Sequence, residues 1–214
     1  MFREEWLEKL QKQKAIAVIR AIGITQGINL AQAAAAGGIQ FIEITWNSVQ
    51  PDTLVARLRE DLPDCTIGAG TIVNPTQLQS AIASGCQFLF SPHVDVTLIQ
   101  NACNAQIPII PGALSPTEIV TAWQAGATAV KVFPIGVMGG AAYLKALRGP
   151  LPHIPLIPTG GVTLENAKSL IDAGAIAVGL SSQLFLPGDI EAENWDAIAQ
   201  RVRWLCQQLR TQHP

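Results

Sequence analysis

Ala125-Gly126-Ala127-Thr128-Ala129-Val130-Lys131-Val132-Phe133 holds the end of a helix and the strand that follows it. The Ala-Gly pair closes a helical stretch, since glycine readily supplies the left-handed residue that ends a helix. Thr128–Phe133 is rich in β-branched and aromatic residues and reads as a strand. Alternation sets Ala129, Lys131 and Phe133 on one face, and Val130 and Val132 on the other. With the valines packed on helices, the other face must be interior, and a lysine stands in the middle of it.

The same punctuation recurs along the chain. Ala36-Gly37, Ser84-Gly85 and Ala173-Gly174 each end a helical stretch and precede an apolar run. The four glycines lie 48, 41 and 48 residues apart, and each interval holds two strand–helix units. Eight strands are expected: Ala15–Arg20, Ile39–Thr45, Thr66–Gly70, Gln87–Ser91, Ile107–Ile110, Thr128–Phe133, Ile154–Ile157 and Ile176–Gly179. Runs such as Ile107-Pro108-Ile109-Ile110 are apolar on both faces, as covered parallel strands are. Asn74-Pro75 reads as an N-cap with proline at the first helical position, and Ser115-Pro116-Thr117-Glu118 as a capping box. The pattern predicts an α/β fold, a single (β/α)8 TIM barrel over residues 1–214, with an open doubly wound sheet as the other architecture. Apolar stripes predict an N-terminal helix about residues 2–12 (Phe2, Trp6, Leu7, Leu10) and a C-terminal helix about 193–210.

Composition narrows the function. The chain has 214 residues, 49% hydrophobic and 14% charged, with a net charge of −2. No basic stripe suggests nucleic acid as a partner. No apolar run approaches the roughly 18 residues of a membrane span, and the N-terminal stretch does not read as a signal peptide. Cys65, Cys86, Cys103 and Cys206 form no paired motif and read as small hydrophobes in a reducing cytoplasm. The histidines, His93, His153 and His213, make no metal-ligand cluster.

In such a barrel the chemistry sits at the C-terminal ends of the strands. Arg20, Glu43, Thr45, Thr71, Lys131, Thr159-Gly160-Gly161 and Gly179–Ser182 fall there. A desolvated lysine has its charged form disfavoured, and the neutral amine attacks ketones. Glu43, an isolated charge in Phe41-Ile-Glu-Ile-Thr45, can transfer protons in the same cavity. The alternative is a buried Lys131–Glu43 pair that only neutralises itself. Thr159-Gly160-Gly161, leading into a helix near Thr163, and Gly179–Ser182 look suited to an anion received by backbone N–H groups. The glycines of Gly68-Ala-Gly-Thr71 permit close approach, and Thr71 offers a hydroxyl to a carboxylate. Arg20 can grip that carboxylate through two hydrogen bonds.

These residues resemble the 2-keto-3-deoxy-6-phosphogluconate (KDPG) aldolases, which also act as 4-hydroxy-2-oxoglutarate (KHG) aldolases. The matching stretches are Ala17-Val-Ile-Arg20, Ile42-Glu-Ile-Thr45, Ile67-Gly-Ala-Gly-Thr71 with Asn74-Pro75, Phe90-Ser-Pro92, Ile110-Pro-Gly112, Val130-Lys-Val-Phe-Pro134, Pro158-Thr-Gly-Gly161 and Gly179 with Ser182. They run in order over nearly the whole chain. The resemblance implies a class I mechanism with no metal and no cofactor, with Lys131 forming a Schiff base and Glu43 as general acid/base. It further implies that Thr71 helps bind the carboxylate of a small 2-keto acid. Gly160, Gly161 and Ser182 would bind a distal phosphate, with Thr159 lining the site, and the assembly would be a homotrimer. Two positions depart from the family pattern. Asn47 stands where many members carry an arginine for the substrate carboxylate, which leaves that role to Arg20. Gly136 follows Phe133-Pro-Ile where many members are acidic just after the Phe-Pro. A thiamine-phosphate-synthase-like transferase or a non-catalytic phosphate-binding barrel would explain the glycine turns but not Lys131.

Overall fold

The computed structural model describes residues 3–210. Phe2 and His213 lie outside them. The strands are β1 (Ala15–Ile19), β2 (Phe41–Thr45), β3 (Thr66–Gly70), β4 (Leu89–Phe90), β5 (Ile109–Ile110), β6 (Gly112–Ala113), β7 (Val130–Val132), β8 (Leu156–Pro158) and β9 (Val178–Leu180). All their pairings are parallel. One hydrogen-bonded group runs β5-β4-β3-β2-β1-β9 and another β6-β7-β8. Thr128 N donates to Ile109 O (2.9 Å) and Ile176 N to Leu156 O (3.0 Å), which joins the groups at both sides and closes the ring. This is the (β/α)8 arrangement, not the open sheet. The fifth expected strand, Ile107–Ile110, is present as β5, and the same stave continues beyond its expected end as β6, the two separated by Pro111, which has no N–H to give the ladder. Its carbonyl still accepts from Lys131 N (2.9 Å).

The helices are α1 (Arg3–Gln13), α2 (Ile24–Ala36), α3 (Pro51–Asp61), α4 (Pro75–Ala83), α5 (Val96–Asn104), α6 (Pro116–Gln124), α7 (Ala141–Arg148), α8 (Ala167–Asp172), α9 (Pro187–Glu191) and α10 (Trp195–Arg210). Their ends follow local chemistry. Asn74 accepts from Gln77 N, and Ser115 and Glu118 complete the capping box. At the C-termini, Gly85, Gly126 and Gly174 have φ of +85°, +106° and +102°. The first repeat differs from expectation. Gly37 has φ −76° and the left-handed residue is Gly38, φ +103°. Gly37 is needed for another reason, since a Cβ there would lie 2.4 Å from Val202 Cβ of α10. The same turn recurs after α5 with Gln106 at φ +58°, where Ile107 N reaches back to Ala102 O.

Two cores result. Outward strand residues such as Ala17, Ile42, Ile44, Ile67, Val130, Val132 and Val178 pack against the helices. Inward ones, Ile16, Phe41, Phe88, Phe90, Ile110, Ala129, Ile157 and Ala177, form a separate cluster with Trp6 and Leu10 of α1. The helix α1 therefore plugs the N-terminal end of the barrel. Trp6 meets Phe41 edge-on at 5.7 Å and Phe88 at 5.6 Å. Its indole N–H is buried without an acceptor, so the packing carries the position. Among the described residues, no helix is long and apolar enough to cross a membrane. With this plug the chemistry is left to the other end. Trp6→Ala is expected to lower the unfolding free energy by about 3–5 kcal/mol in urea denaturation. Trp6→Phe, which keeps a ring and removes the orphan donor, is expected to cost clearly less; equal losses would mean the ring contacts do not anchor α1.

Candidate active site

Above the inner cluster, β1 presents Val18, while β2 and β7 present charged residues. Glu43 from β2 is 1% exposed and Lys131 from β7 is 9% exposed. β2 and β7 are the second and sixth staves of the eight, so these side chains approach from across the barrel axis. They are not in contact as an ion pair. None of the ion pairs among the described residues includes Lys131, Glu43 or Arg20. The Lys131 charge nonetheless acts on Glu43, lowering its pKa against the effect of burial.

The Lys131 Nζ lies 4.8 Å from the centroid of the Phe133 ring and 5.7 Å from that of Phe90. These two rings were not singled out from the sequence. Phe133 was already on the inward face by alternation, so a period-two reading carried one step further would have found it. Rings on two sides limit how water reaches the amine.

Glu43 has one buried carboxylate oxygen, Oε2, with no hydrogen-bond partner. Burial pushes its pKa up, partly opposed by the charges of Lys131 and Arg20. A carboxyl held that way spends more time protonated than an ordinary one, as a proton donor and acceptor should. The glycines beside it make its room. In the pairing of β2 with β3, Glu43 stands opposite Gly68 and Thr45 opposite Gly70. A Cβ on Gly70 would lie 1.7 Å from Glu43 Oε1, and one on Gly68 2.4 Å from the Phe88 ring. The close approach expected at Gly68-Ala-Gly70 is thus taken by the protein's own Glu43 and Phe88. Lys131 likewise has Gly112 opposite it.

Thr71 follows directly, partly buried and with φ +60°. A β-branched residue in the left-handed region is strained, and such strain gathers at functional sites. Arg20 is exposed at the end of β1, and its Nε donates to Asn47 Oδ1 at 3.2 Å. Two residues read separately in the sequence are therefore partners. Ala21 N donates to Ser48 Oγ (3.0 Å) and Val49 N to Ala21 O (2.9 Å), which ties the two loops carrying them.

On the other side of the mouth, Thr159 is buried with its hydroxyl oxygen unpartnered. Its methyl packs where a Cβ of Gly179 would be, 2.5 Å away. Gly160 and Gly161 have φ of +72° and +93°. Gly160 O accepts from Gly136 N and Gly161 O from Asn166 Nδ2, each at 2.9 Å. Ser182 is exposed just beyond β9. One expectation needs correction. The helix after Gly161 begins at Ala167, not near Thr163, because Thr163 and Asn166 bond each other's backbone in a turn. That helix spans six residues, so any anion here would rest on loop N–H groups rather than on a helix dipole. His93 is exposed, with Nδ1 3.2 Å from Ser91 Oγ.

No group of three or more His, Cys, Asp or Glu among the described residues could hold a metal ion. A cleft of about 480 Å³ lined by Arg3, Cys103, Gln106, Pro108 and Thr128 opens at the N-terminal end, away from Lys131. The inward amine, the inward carboxyl and the glycine turns all lie at the C-terminal end.

Comparison with known proteins agrees with this arrangement. The model of the KDPG and KHG aldolase family matches residues 7–201. The chain is 32% identical over 200 residues to the 2-dehydro-3-deoxy-phosphogluconate aldolase of Haemophilus influenzae, covering 94% of each. It is 34% identical over 186 residues to the 2-dehydro-3-deoxy-6-phosphogalactonate aldolase of Escherichia coli K12, covering 86% of this chain and 89% of that one. A solved KDPG aldolase from Legionella pneumophila, with pyruvate captured as a covalent carbinolamine, superposes with a TM-score of 0.85 at 29% identity, over 92% of this chain and 95% of that one. The chain belongs to the KDPG and KHG aldolase family.

Proposed function

We propose that this chain is a class I aldolase. It cleaves 2-dehydro-3-deoxy-6-phosphogluconate to pyruvate and glyceraldehyde 3-phosphate, 4-hydroxy-2-oxoglutarate to pyruvate and glyoxylate, or both, through an imine on Lys131. The observation that carries this reading is an amine and a carboxyl buried in one barrel end without pairing. A transferase or a binding protein on the same barrel has no use for that combination.

Lys131 Nζ attacks the C2 carbonyl carbon of the substrate. Glu43 moves the protons that turn the carbinolamine into a protonated imine with loss of water. When the C3–C4 bond breaks, its electrons enter the imine to give an enamine, and the C4 hydroxyl passes its proton to Glu43 as the aldehyde leaves. Protonation of the enamine at C3 and hydrolysis release pyruvate and return the free amine. Arg20 and Thr71 hold the carboxylate beside C2. Gly160, Gly161 and Ser182 receive the distal phosphate, with Thr159 lining the cavity and its unpartnered hydroxyl available to the substrate. We infer a homotrimer from the family resemblance, and exposed Ile22, Val49 and Val73 on three successive loops offer apolar surface for a contact between copies. The free cysteines fit a cytoplasmic location.

Lys131→Met is expected to abolish both aldol cleavage and borohydride trapping of pyruvate, with circular dichroism unchanged. A variant that still traps pyruvate would place the nucleophile on another lysine.

Glu43 gives a prediction on stability. Its folded pKa is raised, so the folded chain holds that proton more tightly than the unfolded chain. The stability it contributes is present below the ordinary carboxylate range and lost as pH rises through the raised value. Glu43→Gln removes that loss. In melts from about pH 4 to about pH 8, the Tm of the variant relative to the parent should climb with pH. A difference that stays flat would mean that Glu43 ionises as an exposed acid does.

The distal site is best probed at Ser182, because a Cβ on Gly161 would stand 2.7 Å from Gly136 Cα and disturb the fold. Ser182→Asp places a negative charge against the phosphate and is expected to lower kcat/KM for the phosphorylated substrate by roughly tenfold or more. The loss on 4-hydroxy-2-oxoglutarate should be smaller, with pyruvate trapping intact. Equal losses on both substrates would remove Ser182 from the phosphate site.

A further inference from the structure

Arg20 and Asn47 stand at the ends of neighbouring strands, Ile19 being paired with Ile44 in the register of β1 and β2. Their loops are tied by Ala21 N to Ser48 Oγ and by Val49 N to Ala21 O. The Arg20 Nε donates to Asn47 Oδ1 at 3.2 Å. No carboxylate forms an ion pair with Arg20 among the described residues. Arg20 is exposed to solvent, yet close enough for its charge to act on buried Glu43.

A guanidinium has two edges that can hold a carboxylate with two parallel bonds. One uses Nε with a terminal nitrogen, and the other uses both terminal nitrogens. With Nε given to Asn47, only the terminal edge is open. An exposed arginine otherwise samples many rotamers, and part of that freedom is lost when it grips a ligand. A neutral amide is suited to reduce that loss. It accepts one bond and fixes the fork without cancelling its charge, as an acidic partner would.

We propose that Asn47 is a positioning residue, holding Arg20 by its Nε so that the terminal edge of the guanidinium meets the substrate carboxylate. This rests on the carboxylate role of Arg20 given above. Asn47 acts through Arg20 and adds no bond of its own to the substrate.

The test is a double-mutant cycle read by steady-state kinetics and by pyruvate affinity. Arg20→Ala alone should raise the pyruvate Kd by about tenfold or more, the loss of a charge-assisted hydrogen bond. Asn47→Ala in the parent should raise KM and the pyruvate Kd roughly 3- to 10-fold, as one neutral hydrogen bond allows, with kcat nearly unchanged. In the Arg20→Ala background, Asn47→Ala should have no further effect. If Arg20→Ala leaves pyruvate affinity unchanged, the carboxylate reading of Arg20 falls and the positioning role with it. If Arg20→Ala weakens binding but Asn47→Ala does not, the positioning role alone falls. If Asn47→Ala costs the same in both backgrounds, Asn47 binds substrate independently and the proposal is overturned. A merely structural residue would lower Tm and kcat without the KM shift that this account requires.

Discussion

Two ionisable groups share the upper interior of this barrel without touching, and the remainder of the site follows from keeping them so. A buried lysine and a buried carboxyl would ordinarily close into an ion pair, because an uncompensated charge in a low dielectric is costly. Here they are set on the second and sixth staves, across the axis, and form no ion pair. The rings of Phe90 and Phe133 stand around the amine, and burial raises the pKa of Glu43. The unpartnered oxygens of Glu43 and Thr159 are part of the same arrangement. A substrate carrying hydroxyl groups offers the hydrogen bonds the protein itself withholds.

Glycine is the means by which the space is kept. Opposite the two functional side chains the neighbouring strands present Gly68 and Gly112, and Gly70 lies under the Glu43 carboxylate. A side chain at Gly70 would displace the Glu43 carboxylate, one at Gly68 would strike the Phe88 ring, and one at Gly112 the backbone of Pro92. Gly136 and Gly161 approach so closely that a side chain on either would meet the other's backbone. The departure from the family pattern at Gly136 thus has a local reason, since the turn after Phe133-Pro134 and the turn after Thr159 are packed against each other.

Much of this was legible in the sequence. Eight apolar runs, the recurring Gly helix ends and the lone charges in β2 and β7 were enough to predict the barrel and to bring Lys131 and Glu43 together. Strand ends were less legible, because a barrel's ladder is set by neighbours far away in sequence. The fifth strand was expected to end at Ile110, and nothing in Pro111-Gly112-Ala113 signalled that the ladder resumes beyond the proline. Gly37 ends α2 as expected, but the left-handed residue is Gly38, and it is packing under Val202 that requires a glycine at 37. Gln106 takes the left-handed turn with no glycine to signal it. The Arg20–Asn47 bond joins residues 27 apart and could only be found once β1 and β2 were paired.

The division of labour between amine and carboxyl can be measured on pyruvate alone, by following exchange of its methyl protons in D2O. Imine formation makes those protons removable, and a proton acceptor must then take one. The parent enzyme should incorporate deuterium, and Lys131→Met should incorporate none. Glu43→Gln should form the imine more slowly, so that borohydride still traps it on long incubation, and should exchange far more slowly than the parent. Exchange that persists without Lys131, or that runs at the parent rate without the Glu43 carboxyl, would contradict this account of the site.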